Sequence, residues 1–240
     1  MGLNQPAVSR YFNWIGGLAS GNTAISYAYD VPTAELIAER MQVTLPLAVL
    51  SMALTIAAAL GLGVYAAARH NRVGDVAVMS ISQLGIAIPS FWLAILLVLG
   101  FSVKLGWFDA GGFPGWTEDD GGGVWPGLKA LILPAVALAA AQASVMTRWT
   151  RSSVLDVMRE DYVRTARAKG LSRRAVLWRH VLRNAAIPVL TIMGLQFAFL
   201  ISGTVVVEQV FVLPGIGRLV FQAIANRDIP YIIPYFYNTL

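Results

Sequence analysis

The chain has 240 residues, of which 57% are hydrophobic and only 13% are charged, and its formal net charge is +5. A soluble domain usually carries about a quarter charged residues, so this composition excludes an ordinary soluble fold. The sequence contains no cysteine, which excludes disulfides and thiolate metal sites and leaves the redox compartment open.

Residues 1–30 mix Gly, Asn, Ser and aromatic residues. They contain neither a hydrophobic run of signal-peptide type nor a membrane span. Because Trp and Tyr favour the headgroup level of a bilayer, we expect this segment to be external, loop-rich and close to the membrane surface. Residues 31–42 then predict the start of a helix, with Pro32 and Thr33 at its beginning.

Four charge-free runs follow, and each is long enough to cross a bilayer, which requires roughly 20 residues at about 1.5 Å per residue. We place them at about 43–68, 76–103, 130–147 and 184–207. Four such runs are too many for the interior of a soluble protein of this length. The sequence therefore predicts an all-α integral membrane protein, a transmembrane helix bundle with about four to five spans, within residues 31–230.

Each predicted span contains a proline. Pro46, Pro134 and Pro188 lie near predicted span entrances, where a missing N–H group costs little. Pro89 lies in the middle of its span and should kink the helix. Irregular helix packing and a functional hinge are equally good explanations of this kink.

The distribution of charge predicts the orientation. The segments 69–75 and 148–183 are basic, the second with ten Lys or Arg against three acidic residues. Placing both in the cytoplasm gives that side a net charge of +8 and the other side −3, as the positive-inside rule requires. The N-terminal segment is then outside, so we expect a further transmembrane helix before it and regard the chain as cut at both ends.

Polar residues within the predicted spans are few. Gln142, Ser144, Gln196 and Ser202 are candidates for lining a translocation path, although hydrogen bonding between helices explains them at least as well. The spans as drawn contain no ionisable residue, which argues against a proton or ion relay. The acidic run 118–120 in the outer loop is interpreted as a solvated turn, and no metal ligands are expected.

The long cytoplasmic loop predicts a helix–turn–helix along the inner face of the membrane. Val154, Met158 and Tyr162 recur every four residues and should share one helix face. Gly170 suits the left-handed position that ends a helix, and Ser172 can cap a second helix.

The sequence contains no G-x-x-x-x-G-K-[ST] phosphate loop, so this chain is not itself a P-loop ATPase. If it transports a solute, the energy must come from a partner, and a short helix with a sharp glycine turn suits docking to a soluble motor subunit. Alternatively, the basic loop only fixes topology and binds anionic lipid. A passive channel, a secondary carrier and a membrane scaffold without transport activity are the rival classes.

The loop sequence EDYVRTARAKGLSRRAVLWRHVLRNAAIPVLT resembles the EAA loop of bacterial ABC-importer permeases, in the dipeptide, oligopeptide and nickel branch. Four further stretches are similar to the same branch in the same order, so the resemblance covers roughly residues 2–230: GLNQPAVSRYFNWIGGL, AELIAERMQVTLPLA, IPSFWLA and VFVLPGIGRLVFQAIANRDIP. Arg164, Thr165, Ala166 and Gly170 occupy the places of the general E-A-A-x-x-x-G pattern. Arg164 departs from its Glu but matches the R-T-A-R-A-K-G usual in this branch.

The resemblance implies the type I ABC-importer permease fold and a multi-pass location in the bacterial inner membrane. It implies a second homologous permease subunit, two cytoplasmic ATPase subunits that bind ATP, and an extracytoplasmic solute-binding protein. The chain itself then needs no cofactor and is not an enzyme. The resemblance assigns the ATPase contact to the loop residues Glu160, Asp161, Tyr162, Arg164, Thr165, Ala166, Ala168, Gly170 and Leu171.

Small peptides are the first expectation for the substrate, with nickel or another small solute behind them. The chain departs from the family in lacking its first span. It also lacks the usual Gln-Gly opening of the last span, so residues 231–240 are interpreted as a truncated or divergent tail.

Overall fold

The computed structural model describes residues 6, 16, 25–26 and 29–226, and this part of the chain is a bundle of helices. Most of residues 1–30 and all of 231–240 therefore lie outside the described residues, together with the interpretations made of them. Between residues 29 and 226 the helices are α1 (Thr33–Ala68), α2 (Val73–Ala87), α3 (Ser90–Lys104), α4 (Val124–Val157), α5 (Asp161–Ala168), α6 (Arg173–Val210) and α7 (Ile216–Ala225). The end of α3, Val98–Lys104, and residues Leu177–Val181 of α6 have π-helical hydrogen bonding.

Three helices of the described part, α1, α4 and α6, are long and apolar enough to cross a bilayer. The pair α2 and α3 passes the same test together and makes a fourth span if the two helices count as one. The predicted all-α membrane fold is therefore confirmed.

The predicted helix start at 31–42 and the first predicted span form one continuous helix, α1, in spite of Pro46 inside it. Pro46 has no N–H group to donate to the carbonyl of Gln42, four residues earlier. That carbonyl instead accepts a hydrogen bond from the Trp116 indole Nε1 at 2.9 Å. A side chain of the outer loop thus replaces the missing backbone donor, and α1 continues without a break.

The helices extend beyond the predicted spans. Helix α4 continues past 147 to Val157, and α6 begins at Arg173 instead of 184. The predictions placed boundaries where charges appear, but Arg and Lys are good helix formers and end a hydrophobic run without ending a helix. Much of the predicted loop 148–183 is therefore helical extension of two spans.

The helices pack through apolar side chains and small residues. One buried cluster joins α1, α3, α4 and α6 through Leu47, Ala94, Leu131 and Val207. Nearer the other end, a Cβ atom added at Gly63 of α1 would lie 2.7 Å from the Thr150 Cβ of α4, so this glycine permits the close approach of the two helices. A Cβ atom at the nearby Gly61 would meet no atom within 4 Å, so Gly63 and not Gly61 permits this close approach.

The outer loop between α3 and α4 is tied to the ends of two spans. The Gly112 N–H group donates to the Phe211 carbonyl at 2.8 Å, just beyond α6. Phe113 packs edge-on against Trp116, with ring centroids 5.1 Å apart, and Trp116 bonds to α1. This loop therefore fixes the outer ends of α1 and α6 relative to each other.

Candidate coupling segment and transport path

Residues 160–171, here named the coupling segment, contain α5 between two sharp changes of direction. Glu160 precedes the helix with an extended backbone (φ −63°, ψ 145°). At the other end Gly170 has φ +85°, which is the left-handed region. Gly170 N–H donates to the Arg167 carbonyl at 3.0 Å and Leu171 N–H donates to the Ala166 carbonyl at 3.4 Å. These are the two hydrogen bonds of a Schellman turn, so the predicted glycine turn is confirmed.

The predicted helix face through Val154, Met158 and Tyr162 is wrong. Helix α4 ends directly before Met158 and α5 starts as a separate helix, so one helix does not run through 156–170. Val154 is fully buried, whereas Tyr162 is 43% exposed. The residues of α5 that face inward are Val163 and Ala166, and the turn before α5 provides the change of direction that buries them.

The inner face of α5 packs into a cluster shared with three long helices, at the end of the bundle next to the coupling segment. Val163 is fully buried and Ala166 is 6% exposed. The other buried members come from α1, α4 and α6 and are Ala67, Val154, Val176, Val181 and Ala185. Burial of an apolar side chain of this size stabilises by about 1.5–3 kcal/mol, so α5 is held firmly against all three helices.

The outer face of α5 is exposed and mostly polar. Its exposed residues, with those flanking the helix, are Glu160, Asp161, Tyr162, Arg164, Thr165, Arg167, Ala168, Lys169, Gly170 and Leu171. The Thr165 hydroxyl donates to the Asp161 carbonyl at 2.9 Å, and Arg164 lies 3.4 Å from the Asp161 carboxylate. Ala166 was predicted to belong to the ATPase contact, but its burial makes it a core residue of this chain.

The second arm of the predicted helix–turn–helix starts where it was expected. The Ser172 hydroxyl accepts a hydrogen bond from the Ala175 N–H group at 3.3 Å, which is the geometry of an N-cap. This arm does not end before the membrane, because α6 continues from Arg173 to Val210. The cap of the coupling turn is therefore also the start of a spanning helix.

Of the four candidate path residues, Ser202 lines a cavity of about 480 Å³ between α1, α6 and α7. Thr44 and Thr204 line the same cavity, and most of its remaining wall is apolar. Gln142, Ser144 and Gln196 are half-buried elsewhere, and the Ser144 hydroxyl donates to the Ala140 carbonyl of its own helix at 2.8 Å. The structure therefore does not bring the four residues together, and their role in a path stays a prediction.

Residues 59–239 match the family model described as "Binding-protein-dependent transport system inner membrane component". The chain belongs to this family. It is accordingly a multi-pass membrane permease of the bacterial inner membrane, the ABC-importer component that works with ATPase and binding-protein partners. The resemblance inferred from the coupling loop is confirmed.

Curated relatives of the permease cover nearly all of this chain. A putative peptide transport system permease protein of Brucella suis is 46% identical over 232 residues, which are 97% of this chain and 73% of the relative. The glutathione transport system permease protein GsiC of Escherichia coli K12 is 42% identical over the same length, covering 97% of this chain and 72% of the relative. A solved structure titled "Crystal structure of an amino acid ABC transporter with histidines" matches with a TM-score of 0.61 at 17% identity, over 86% of this chain and 88% of the other, and supports the fold alone.

The permease contains a buried carboxyl group that the sequence reasoning missed. Glu208 lies inside α6 and is fully buried, one residue beyond the predicted end of the span, so the spanning helix does contain an ionisable residue. It accepts hydrogen bonds from the Thr44 hydroxyl at 2.7 Å and from the Arg218 N–H group at 3.2 Å. The Thr44 hydroxyl in turn accepts from the Ile216 N–H group at 2.9 Å.

This network fastens the start of α7 to α1 and α6 beside the cavity that Ser202 lines. Gly215 is packed so closely on the Glu208 carboxylate that a Cβ atom there would overlap it. The helical spacing of the buried residues Leu200, Thr204, Val207 and Glu208 was the available signal, because i, i+4, i+7 and i+8 share one face.

A second missed feature joins the start of α2 to the end region of α4. The Asp75 carboxylate accepts two hydrogen bonds from the Arg151 guanidinium, at 2.6 Å and 2.7 Å. The Asn71 N–H group donates to the same carboxylate at 2.9 Å, and His70 Nδ1 lies 3.0 Å from the guanidinium. Asp75 is 2% exposed, so the permease has a buried, bidentate ion pair where the sequence indicated only solvated loop charges.

The span that contains Pro89 is broken more strongly than a kinked helix. Helix α2 ends at Ala87, α3 begins at Ser90, and the two are bent by 99°. Ile88 and Pro89 adopt extended backbone conformations, which for Ile88 is usual because proline follows it. The role of Pro89 as a hinge stays a prediction.

Proposed function

We propose that the permease forms half of a translocation path for short peptides, paired with a second homologous permease subunit. A binding protein delivers the peptide from outside. Two cytoplasmic ATPase subunits bind the coupling segments of the two permeases and supply the energy. Closure of the ATPase dimer on ATP carries the two coupling segments together and rocks the spans so that the path opens outward. Hydrolysis reverses the movement, which is a domain rearrangement driven by a partner.

The observation that carries the coupling assignment is the two-sided packing of α5. Its inner residues Val163 and Ala166 share one buried cluster with side chains of α1, α4 and α6. Its outer residues are exposed. Because packed cores transmit displacement, a force applied to the outer face of α5 moves all three spanning helices together.

The peptide assignment is supported by the names of two relatives, which are a putative peptide transport permease and a glutathione transport permease. The cavity between α1, α6 and α7 is compatible with it, because its wall is mostly apolar with hydroxyl groups from Thr44, Ser202 and Thr204. Such a lining suits a neutral, partly apolar solute. Nickel or another small solute is the second candidate, and a metal ion would require ligands that this wall does not supply.

The absence of native cysteine allows a direct test of coupling with single-cysteine variants. Thr165→Cys places a thiol on the exposed outer face of α5. Ala166→Cys changes the adjacent residue and places a thiol on the buried inner face of the same helix. In membranes containing the whole transporter, a short bifunctional thiol reagent should cross-link Thr165→Cys to an ATPase subunit that carries one engineered cysteine. The matched variant Ala166→Cys should remain unlinked.

The same variants test orientation. A membrane-impermeant maleimide should label Thr165→Cys only when the cytoplasmic face is accessible, and Asp119→Cys in the outer loop only from the opposite face. Labelling of Thr165→Cys from outside would refute the coupling assignment, since no cytoplasmic ATPase can bind there. The substrate is tested separately by uptake of a labelled tripeptide in cells expressing the complete system. Competition by unlabelled dipeptides or glutathione supports the peptide proposal, and competition by Ni²⁺ alone contradicts it.

A further inference from the structure

A second cavity of about 480 Å³ lies beside the coupling turn, on the side that the charge distribution assigns to the cytoplasm. Arg167, Arg173 and Arg174 stand at its rim. The rest of its wall is formed by Ala68, Met158, Val176, Leu177 and Val181. The pocket thus combines three positive charges with an apolar wall and has no acidic residue in its lining.

The three guanidinium groups have no partner among the described residues. Arg151 and Arg164 form ion pairs, and Arg218 donates to a backbone carbonyl, whereas the side chains of Arg167, Arg173 and Arg174 make no ion pair or hydrogen bond within residues 29–226. Three like charges around one pocket repel one another. An anion in the pocket removes that repulsion, and a phosphate group accepts the paired N–H donors of arginine in bidentate fashion.

The position of the pocket restricts what the anion is. Ala68 is the last residue of the spanning helix α1, and Val176 and Val181 belong to the cytoplasmic end of α6. The apolar wall is therefore formed at the ends of spanning helices, and the arginine rim lies outside their charge-free runs, on the side of the headgroups. Basic pockets between spanning helices on the cytoplasmic side suit the headgroups of anionic lipids, which are enriched in that leaflet.

We propose that this pocket binds the phosphate headgroup of an anionic phospholipid from the cytoplasmic leaflet. Arg167 belongs to α5, before the Gly170 turn, and Arg173 and Arg174 belong to α6, after it. One phosphate group therefore bridges the two arms of the turn and holds α5 in place. This inference does not depend on which solute the permease transports.

The test uses the whole transporter, reconstituted in nanodiscs of phosphatidylcholine containing phosphatidylglycerol. Native mass spectrometry counts the phosphatidylglycerol molecules retained after release from the disc. The pocket variant combines Arg167→Gln, Arg173→Gln and Arg174→Gln. It should bind phosphatidylglycerol roughly a hundredfold more weakly, because each Lys or Arg near the surface contributes about fivefold and three are removed.

The matched control combines Arg159→Gln, Arg179→Gln and Arg183→Gln. These exposed residues remove the same charge from the same region and do not line the pocket. The control should retain the lipid, and free inorganic phosphate should not displace it, since the apolar wall contributes to binding. Equal retention in both triple variants overturns the proposal. Loss of the ATPase subunits from the pocket variant with lipid retention unchanged also overturns it, and assigns the arginines to a protein contact.

Discussion

Replacement of Gly170 by valine should uncouple ATP hydrolysis from uptake. Gly170 has φ +85°, and a Cβ atom there would meet nothing within 4 Å, so the substitution strains the backbone without any steric clash. A left-handed conformation costs an L-residue about 1–2 kcal/mol, and a β-branched residue more. The native turn should then be disfavoured by roughly 1–2 kcal/mol or more, which is about 5- to 30-fold in population.

The matched variant is Gly170→Asn, because asparagine tolerates the left-handed region while adding a side chain of similar size. Both variants are assayed in proteoliposomes for ATPase activity stimulated by the loaded binding protein, and for peptide uptake per ATP hydrolysed. We expect Gly170→Val to lose stimulation and uptake, and Gly170→Asn to keep most of both. Normal stimulation in Gly170→Val, or an equal loss in Gly170→Asn, would refute the reasoning that the backbone conformation at this position matters for coupling.

Three further predictions concern the contacts between helices. Arg151→Ala leaves the Asp75 carboxylate buried without the arginine and should lower the free energy of unfolding by about 3 kcal/mol. This is the low end of the range for breaking a buried ion pair, because the arginine side chain is 22% exposed. Thermal unfolding in detergent measures the loss, and Arg151→Lys should lose less stability. Gly63→Val should destabilise by about 1–3 kcal/mol through overpacking, whereas Gly61→Val faces open space and should be tolerated in the same assay. Thr44→Val removes both hydrogen bonds of its hydroxyl and should cost about 1–3 kcal/mol and reduce uptake, while Thr44→Ser should preserve both properties.

Local sequence signals predicted the elements that local physics determines. Charge-free runs located the spanning helices because a bilayer requires long apolar segments. The turn at Gly170 and the cap at Ser172 followed from the preferences of glycine for positive φ and of serine for helix starts. In each case the interacting groups are close together along the chain.

Features that join distant parts of the chain were not predictable in this way. The charge of Glu208 indicated the end of a span. Its burial is explained by the hydrogen bonds that it accepts from Thr44 and from the start of α7, which are far away in the sequence. The four-residue spacing through Tyr162 fitted a continuous helix, yet packing of Val163 against three other helices redirected the chain. Pro46 was expected to disturb α1 only slightly. The hydrogen bond that replaces its missing N–H group at the Gln42 carbonyl comes from Trp116, which is far along the sequence.

Helix α4 has 34 residues and is therefore about 51 Å long, whereas the hydrocarbon core of a bilayer is about 30 Å thick. The end of α4 next to the coupling segment consequently lies outside the hydrocarbon core as a rigid extension of the span. A tilt of about 10° around its midpoint would displace that end by roughly 4 Å. A small rotation of α4 inside the membrane therefore corresponds to a displacement of its projecting end that is large enough for a soluble ATPase to drive.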